Sequence, residues 1–294
     1  MMMSNQIDKA FVQQFSDNLI VLSQQRGSKL AMTVRRQDVT GKYYHFDRLG
    51  VVSAKQKTSR HSAVEYVDTP HSRRRGLLED FYASDLIDRE DEVRMLIDPK
   101  SDYARVLGYS IGRRMDDVII AAAVGDSTSV DSDDATSTVA LAHTIDEDFV
   151  TANSDITVEK FLEAERILRA NEVDIDSEEL YFVLDATALA AMLNITKATS
   201  RDFQPVYNLN TGKIDKFLSF NVIQSERLTT SSEGFKQCLA YCKSGIGLGM
   251  GKDMMVKIDQ IPERHYQTQV YVGATFGAVR IEEEKVIVVE AYRA

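Results

Sequence analysis

The chain has 294 residues, 44% of them hydrophobic and 27% charged, with a formal net charge of −10. That length holds one large domain or two modest ones with a real core, and the ordinary composition excludes disorder for most of the chain. The acidity excludes a general nucleic-acid binder, because phosphate contacts need clustered Lys and Arg.

Residues 5 to 24 carry Ile7, Phe11, Phe15, Leu19 and Leu22 at three- and four-residue spacing. This predicts an amphipathic helix whose apolar stripe packs on its own core or on a neighbour. The opening Met-Met-Met-Ser-Asn-Gln lacks a basic stretch followed by an apolar one, so no signal peptide is expected. No run of about 18 apolar residues occurs, so no membrane span is expected. From Arg26 to Arg75 twelve Lys/Arg stand against four Asp/Glu, a net +8 within an overall −10, so the remainder carries −18. Such a chain is either complementary to another copy of itself or carries a solvated basic loop.

Residues 49–57 and 63–68 read as two extended strands around the polar, basic tip Thr58-Ser-Arg-His-Ser. A two-stranded hairpin is marginal alone and its edges are templates for pairing, so it requires a partner surface. Residues 77–97 are mixed and predict a short helix stopping before Pro99. Asp98-Pro99-Lys100-Ser101-Asp102 is helix-start chemistry, followed by Tyr103, Leu107, Ile111, Met115, Val118 and Ala122 at helical spacing, with Gly125 as the stop. At 1.5 Å per residue this helix would be roughly 35 Å long.

The Asp-, Ser- and Thr-rich stretch 125–154 predicts a solvent loop with a short strand at Val139 to Ala142. A helix from Thr157 to Ala170, the buried strand Leu180-Tyr-Phe-Val-Leu and a helix capped by Asp185 form an α/β unit. The last third predicts strands at 218–225, 254–261, 267–281 and 285–292, with Val270, Val272 and Phe276 at period-two positions.

The chemical motifs fail their templates. Gly108-Tyr109-Ser110-Ile111-Gly112 matches a nucleophile elbow in letters, but Ser110 falls inside the helical pattern with no strand before it. Gly245 to Lys252 matches neither the Walker nor the dinucleotide pattern, because positions 246, 250 and 252 are Ile, Met and Lys. It reads instead as a glycine-rich strand or bend that lets backbones approach closely. Asp131-Ser-Asp133-Asp134 lacks the Gly and distant Glu of a calcium loop. Cys238 and Cys242 imply no disulfide framework or zinc site and read as packing residues in a reducing compartment. His45, His61, His71, His143 and His265 form no metal motif. No catalytic, cofactor-binding or metal-binding residue, and no cofactor, is therefore expected.

The order of pieces is helical arm, basic hairpin, long helix, α/β unit and return strands. It resembles the major capsid proteins of tailed double-stranded-DNA bacteriophages, whose α+β architecture is called the Hong-Kong-ninety-seven fold. The resemblance covers nearly the whole chain. It lies in Leu86-Ile-Asp-Arg-Glu-Asp-Glu-Val-Arg-Met-Leu-Ile-Asp-Pro99, Gly112-Arg-Arg-Met-Asp-Asp-Val-Ile-Ile120, Leu180-Tyr-Phe-Val-Leu-Asp, Phe220-Asn-Val-Ile-Gln-Ser-Glu-Arg-Leu228 and Gly277-Ala-Val-Arg-Ile281. Where related chains often carry Gly before Phe220, this one has Ser219.

The resemblance implies an N-terminal arm over 1–41, an extended β-hairpin loop over 42–76 that lies on a neighbour, and a peripheral domain over 77–155 with a spine helix at 101–123. It also implies an α/β axial domain over 156–250, with 251–294 as strands returning to the peripheral domain. On that basis Lys55, Lys57, Arg60, Arg73, Arg74 and Arg75 are expected to contact adjacent subunits. Some members cross-link through a Lys in this loop, but no matching Asn and Glu is evident, so no cross-link is expected.

The implied activity is self-assembly into pentamers and hexamers of an icosahedral head, assembled in the host cytoplasm and ending as the virion capsid. About forty residues precede the hairpin, too few for a fused scaffold, so a separate scaffolding protein is expected. The other implied partners are a portal at one vertex, a decoration protein, and packaged DNA in weak non-specific contact. An encapsulin-like or gene-transfer-agent shell of the same fold, and more remotely a serine hydrolase using Ser110, are the rival readings.

Overall fold

The computed structural model describes residues 23–60, 63–64, 66–88, 100–131, 135–194 and 214–292. The predicted helix over 5–24 lies almost wholly outside them, as do the helix-start residues Asp98 and Pro99 and most of the acidic stretch 131–134. The chain divides into two compact units, Met1–Gly27, Phe81–Arg113 and Met254–Ala274 in one, and Ser28–Asp80, Arg114–Asp253 and Thr275–Ala294 in the other. Among the described residues no helix is long and apolar enough to cross a membrane.

The predicted long helix is present as α1 (Lys100–Val124, 25 residues), with Asp102 in its first turn. Gly125 ends it, donating its N–H back to the Ala121 carbonyl at 2.8 Å. Along the part of α1 in the second unit the fully buried positions are Asp116, Ile119, Ile120 and Ala123, one step around from the predicted Met115, Val118 and Ala122. The cause is Asp116, a charge that an apolar stripe passes over. Its carboxylate accepts the Ser28 hydroxyl at 2.5 Å and the Lys29 and Leu30 amides at 3.1 Å each, so burial leaves it fully engaged. In the first unit Arg113 donates to Gln24 Oε1 at 2.6 Å, and Tyr82 stacks on Tyr271 at 6.1 Å between ring centres.

The second unit holds a six-stranded sheet of β7 (His143–Ile145), β8 (Leu180–Leu184), β9 (Lys216–Phe217), β10 (Phe220–Gln224), β11 (Lys236–Cys242) and β14 (Val286–Ala291), ordered β7-β14-β11-β8-β10-β9. Two helices accompany it. In α2 (Val158–Ala170) Thr157 is the N-cap, and before α3 (Ala186–Asn194) Asp185 accepts the Ala188 amide at 2.9 Å, the cap that was expected. Phe161 of α2 stacks on Phe182 at 3.9 Å and meets Phe217 and Phe220 edge-on, which closes the core over β8 and β10. Lys160, fully buried beside it, donates to the carbonyls of Glu147, Ser154 and Glu290 at 2.7–3.2 Å. Strand β11 has no counterpart in the sequence reading, although Cys238 to Cys242 is a continuous buried run. Both cysteines pack in it, and burial pushes the Cys242 thiol up to about 12.

A second sheet joins β1 (Arg35–Asp38), β12 (Ile246–Ile261), β13 (Gln267–Arg280) and β4 (Glu79–Ile87) in the order β1-β12-β13-β4. Thus 79–87 is a strand and not part of a helix; the rest of that predicted helix lies outside the described residues. The glycine-rich stretch is the first part of β12, as the motif analysis expected. A Cβ at Gly247 would come within 2.3 Å of the Phe46 ring, so only glycine admits that ring. The third sheet is β2 (Tyr43–Leu49), β3 (His71–Leu77), β5 (Ser127–Val130) and β6 (Thr136–Val139), ordered β2-β3-β5-β6. The short strand predicted at 139–142 is replaced by β6, which ends at Val139, and β7, which begins at His143.

Candidate interaction surface

The basic hairpin is built differently from its prediction. The ladder runs from Tyr43 opposite Leu77 to Leu49 opposite His71, whereas 49–57 and 63–68 were expected to pair. Gly50 N–H donates to the Pro70 carbonyl at 2.8 Å and closes it. Proline has no N–H to return, and among the described residues beyond it no strand pairing continues. Residues 51–60 are all exposed. Val51 is 92% exposed, Val64 79% and Tyr66 94%, and Lys55, Lys57 and Arg60 stand among them in solvent.

The root of the hairpin is the opposite. Tyr44 and Phe46 point inward and meet edge-on at 5.7 Å, packing with Val279 and Ile281. Strand alternation then splits the three consecutive arginines of β3. Arg73 and Arg75 face outward: Arg73 pairs with Asp47 at 2.9 Å, and the Arg75 guanidinium lies 5.0 Å over the Tyr43 ring. Arg74 faces inward, with its side chain 5% exposed, and donates to Glu283 Oε1 at 2.6 Å and to the Ile281 carbonyl at 3.3 Å. Arg48 of β2 donates to the same carbonyl at 2.7 Å and to Glu283 Oε2 at 3.3 Å, and the Ser127 hydroxyl of β5 reaches Oε1 at 3.3 Å. Burial alone would raise the Glu283 carboxyl. A backbone amide, the Arg74 hydrogen bond and the charges of Arg74 and Arg48 outweigh it and hold the group below the usual carboxylate range.

Of the six residues expected to reach a neighbour, the structure therefore gathers Lys55, Lys57 and Arg60 on the exposed extension. It sets Arg73 and Arg75 on the outer face of the root and commits Arg74 to its own subunit. The clamp residues Arg48, Ser127 and Glu283 were missed by the sequence reading, as was Arg280. Arg280 is fully buried and donates to the carbonyls of Ala123, Gly125 and Val139, tying the end of α1 to β13 and β6; burial lowers its pKa. A signal existed, because extending the period-two register of Val270, Val272 and Phe276 lands on Arg280. Nothing comparable marks Glu283 within Glu282-Glu283-Glu284.

Ser110 lies in the middle of α1 and donates its hydroxyl to the Leu107 carbonyl at 2.6 Å, without the strand and turn an elbow requires. Among the described residues no group of His, Cys, Asp or Glu is arranged to hold a metal.

Residues 7–292 match the family described as phage capsid protein. The capsid of the cyanophage P-SCSP1u superposes with a TM-score of 0.73 at 14% identity, over 98% of this chain and 95% of that one. The Mycobacterium phage Che8 structure gives 0.70 at 14% identity, over 95% and 97%. The capsid of a native GTA particle gives 0.69 at 11% identity, over 97% and 96%. No curated protein matches the chain. At these identities the structures speak for the fold, which is the α+β capsid fold of tailed phages.

Proposed function

The chain belongs to the phage capsid protein family, and we propose that within it this is the major shell subunit, closing into pentamers and hexamers of an icosahedral head around a double-stranded DNA genome. The observation that carries the reading is the hairpin extension. A buried, charge-clamped root supports an arm whose valines, tyrosine and cations lie in solvent, which suits an arm laid over the next copy. The net charge supports it too, since a basic segment on an otherwise acidic subunit favours the same chain as partner. Many such modest contacts, repeated by symmetry, stabilise a closed shell.

In this proposal 42–76 is the arm, 1–41 a second, N-terminal arm, and 77–155 the peripheral domain around the spine at 101–123. Residues 156–250 form the axial domain around the symmetry axes, and 251–294 return to the peripheral domain. Assembly takes place in the host cytoplasm with a separate scaffolding protein and a portal at one vertex. A decoration protein and weak DNA contacts complete the partners, and no catalysis is involved.

The test is electron microscopy and size-exclusion chromatography of the recombinant chain, alone and with a scaffold. Shells, or rings of five and six, are expected. Replacing Lys55, Lys57, Arg60, Arg73 and Arg75 by Gln is expected to abolish them while the monomer keeps its fold; unchanged assembly would remove these residues from the interface. A gene-transfer-agent shell is the second reading, favoured by the likeness to the GTA capsid. Native particles decide between them: host-genome fragments in the purified particles select the second reading, a single unique genome the first.

A further inference from the structure

The buried carboxylate of Glu283 lies where three elements of one unit meet. It takes a hydrogen bond from Arg74 on β3 at 2.6 Å, from Arg48 on β2 at 3.3 Å and from Ser127 on β5 at 3.3 Å. It stands on the short turn between β13 and β14, whose Ile281 carbonyl binds the same two arginines. Ile281 is in turn held by its own amide, which donates to the Gly245 carbonyl at 2.8 Å. Both strands of the hairpin are therefore fixed by charge to one point on the body, and among the described residues past Gly50 and Pro70 no ladder stiffens the arm.

We infer that Glu283 is a positioning residue that sets the angle at which residues 50–70 leave the subunit, and through that angle the curvature of the shell. The shell half of the inference rests on the capsid reading above. Leverage is the physical reason. About ten residues per arm at ~3.3 Å each give a reach of up to ~30 Å, so a tilt of about 10° in the direction in which the arm leaves the root displaces its mean tip position by up to about 5 Å. A shift of that size is enough to move an arm from one row of a neighbour's side chains to the next. An apolar cluster such as Tyr44, Phe46, Val279 and Ile281 keeps the root closed but is non-directional. Charge-assisted hydrogen bonds to two arginines from two strands add direction.

The experiment measures the angle and the shell separately. Spin labels go on the full chain at Leu49→Cys, the outer end of the ladder, and at Asp176→Cys on the body of the same unit. The native thiols are buried and stay unlabelled. The unassembled chain should give one narrow distance distribution, and Glu283→Gln should broaden it. Phe161→Leu, a control chosen to lower the denaturation midpoint in the sheet core away from the clamp, should leave it narrow.

In micrographs, under conditions where the unaltered chain closes uniform shells, Glu283→Gln should give mixed diameters and open sheets, and Phe161→Leu uniform ones. An unbroadened distribution, or uniform shells from Glu283→Gln, overturns the inference. Shell loss in Phe161→Leu equal to that in Glu283→Gln reduces Glu283 to a plain stability residue. If the unaltered chain closes no shells even with a scaffold, the capsid reading fails while the distances still decide the hinge. If Glu283→Gln does not fold, Arg48→Gln takes its place with a smaller broadening expected, and none overturns the inference.

Discussion

The root of the hairpin and its extension are consecutive in sequence and opposite in physics. At the root, β2 and β3 pair along their whole length, bury two aromatic rings and spend two arginines on one carboxylate. Among the described residues of the extension no ladder continues, and valines, a tyrosine and three cations face solvent. On the proposed reading the contrast divides the labour: the root contributes stability and direction, the extension contributes contact. A protein that has to pack against copies of itself in slightly different settings gains from an arm that adapts only beyond a fixed hinge.

The largest effect that would break this contrast is at Arg74. Arg74→Ala leaves the Glu283 carboxylate buried with its shortest bond gone, and truncating one partner of such a pair costs about 3–5 kcal/mol. A denaturant titration of the unassembled chain should show that loss, whereas Val51→Ser with Tyr66→Ser should stay within about 0.5 kcal/mol of the unaltered chain. Equal effects at both places would erase the distinction. The clamp also predicts a pH dependence. Glu283 is held below its ordinary value of 4.5, so its stabilisation is complete above that value and is lost as pH falls through the lower folded one. The stability gap between the unaltered chain and Glu283→Gln should therefore close as the pH is taken down below the ordinary value of 4.5 and through the lower folded one.

A smaller effect belongs at the seam between root and body. A Cβ on Gly277 of β13 would lie 1.9 Å from the Leu77 carbonyl oxygen at the end of β3, a backbone atom that no side-chain rotation can move aside. Gly277→Ala should cost about 1–3 kcal/mol, the range for overpacking. It should also speed amide exchange in β3 more than in β8. Uniform exchange would mean that the body absorbs the clash and the seam is not tight.

The sequence made the architecture legible where one period dominated. The helical spacing over 101–123, the helix from Thr157 to Ala170, the Asp185 cap and the strand at 180–184 all stand as read. It misled where a polar residue carries the packing. Asp116 sits in the middle of the buried face of α1, Lys160 sits beneath Phe161, and neither looks like core to a hydrophobicity pattern. The hairpin was found but its register was displaced outward, because Val51 and Val52 resemble strand residues whether or not anything pairs with them. The arginine run was found as a basic cluster. Which arginine turns inward depends on one register position, fixed by the pairing of Arg74 with Phe46 and Ser129 across the sheet.

That register supplies the sharpest comparison, with the smallest expected effect. Arg73 precedes Arg74, carries the same charge and also has a carboxylate at hydrogen-bonding distance. Its partner Asp47 and its own side chain are 76% and 58% exposed, so water and salt screen the pair. Arg73→Ala should therefore cost at most about 1 kcal/mol in the unassembled chain, and less as salt is raised. If Arg73 also meets an adjacent subunit, the same substitution should weaken assembly far more than folding. Measuring both on one variant separates a residue that stabilises the subunit from one that stabilises the shell. A folding loss at Arg73 as large as that at Arg74 would mean that strand alternation does not govern the run, and the division between root and surface would have to be drawn elsewhere.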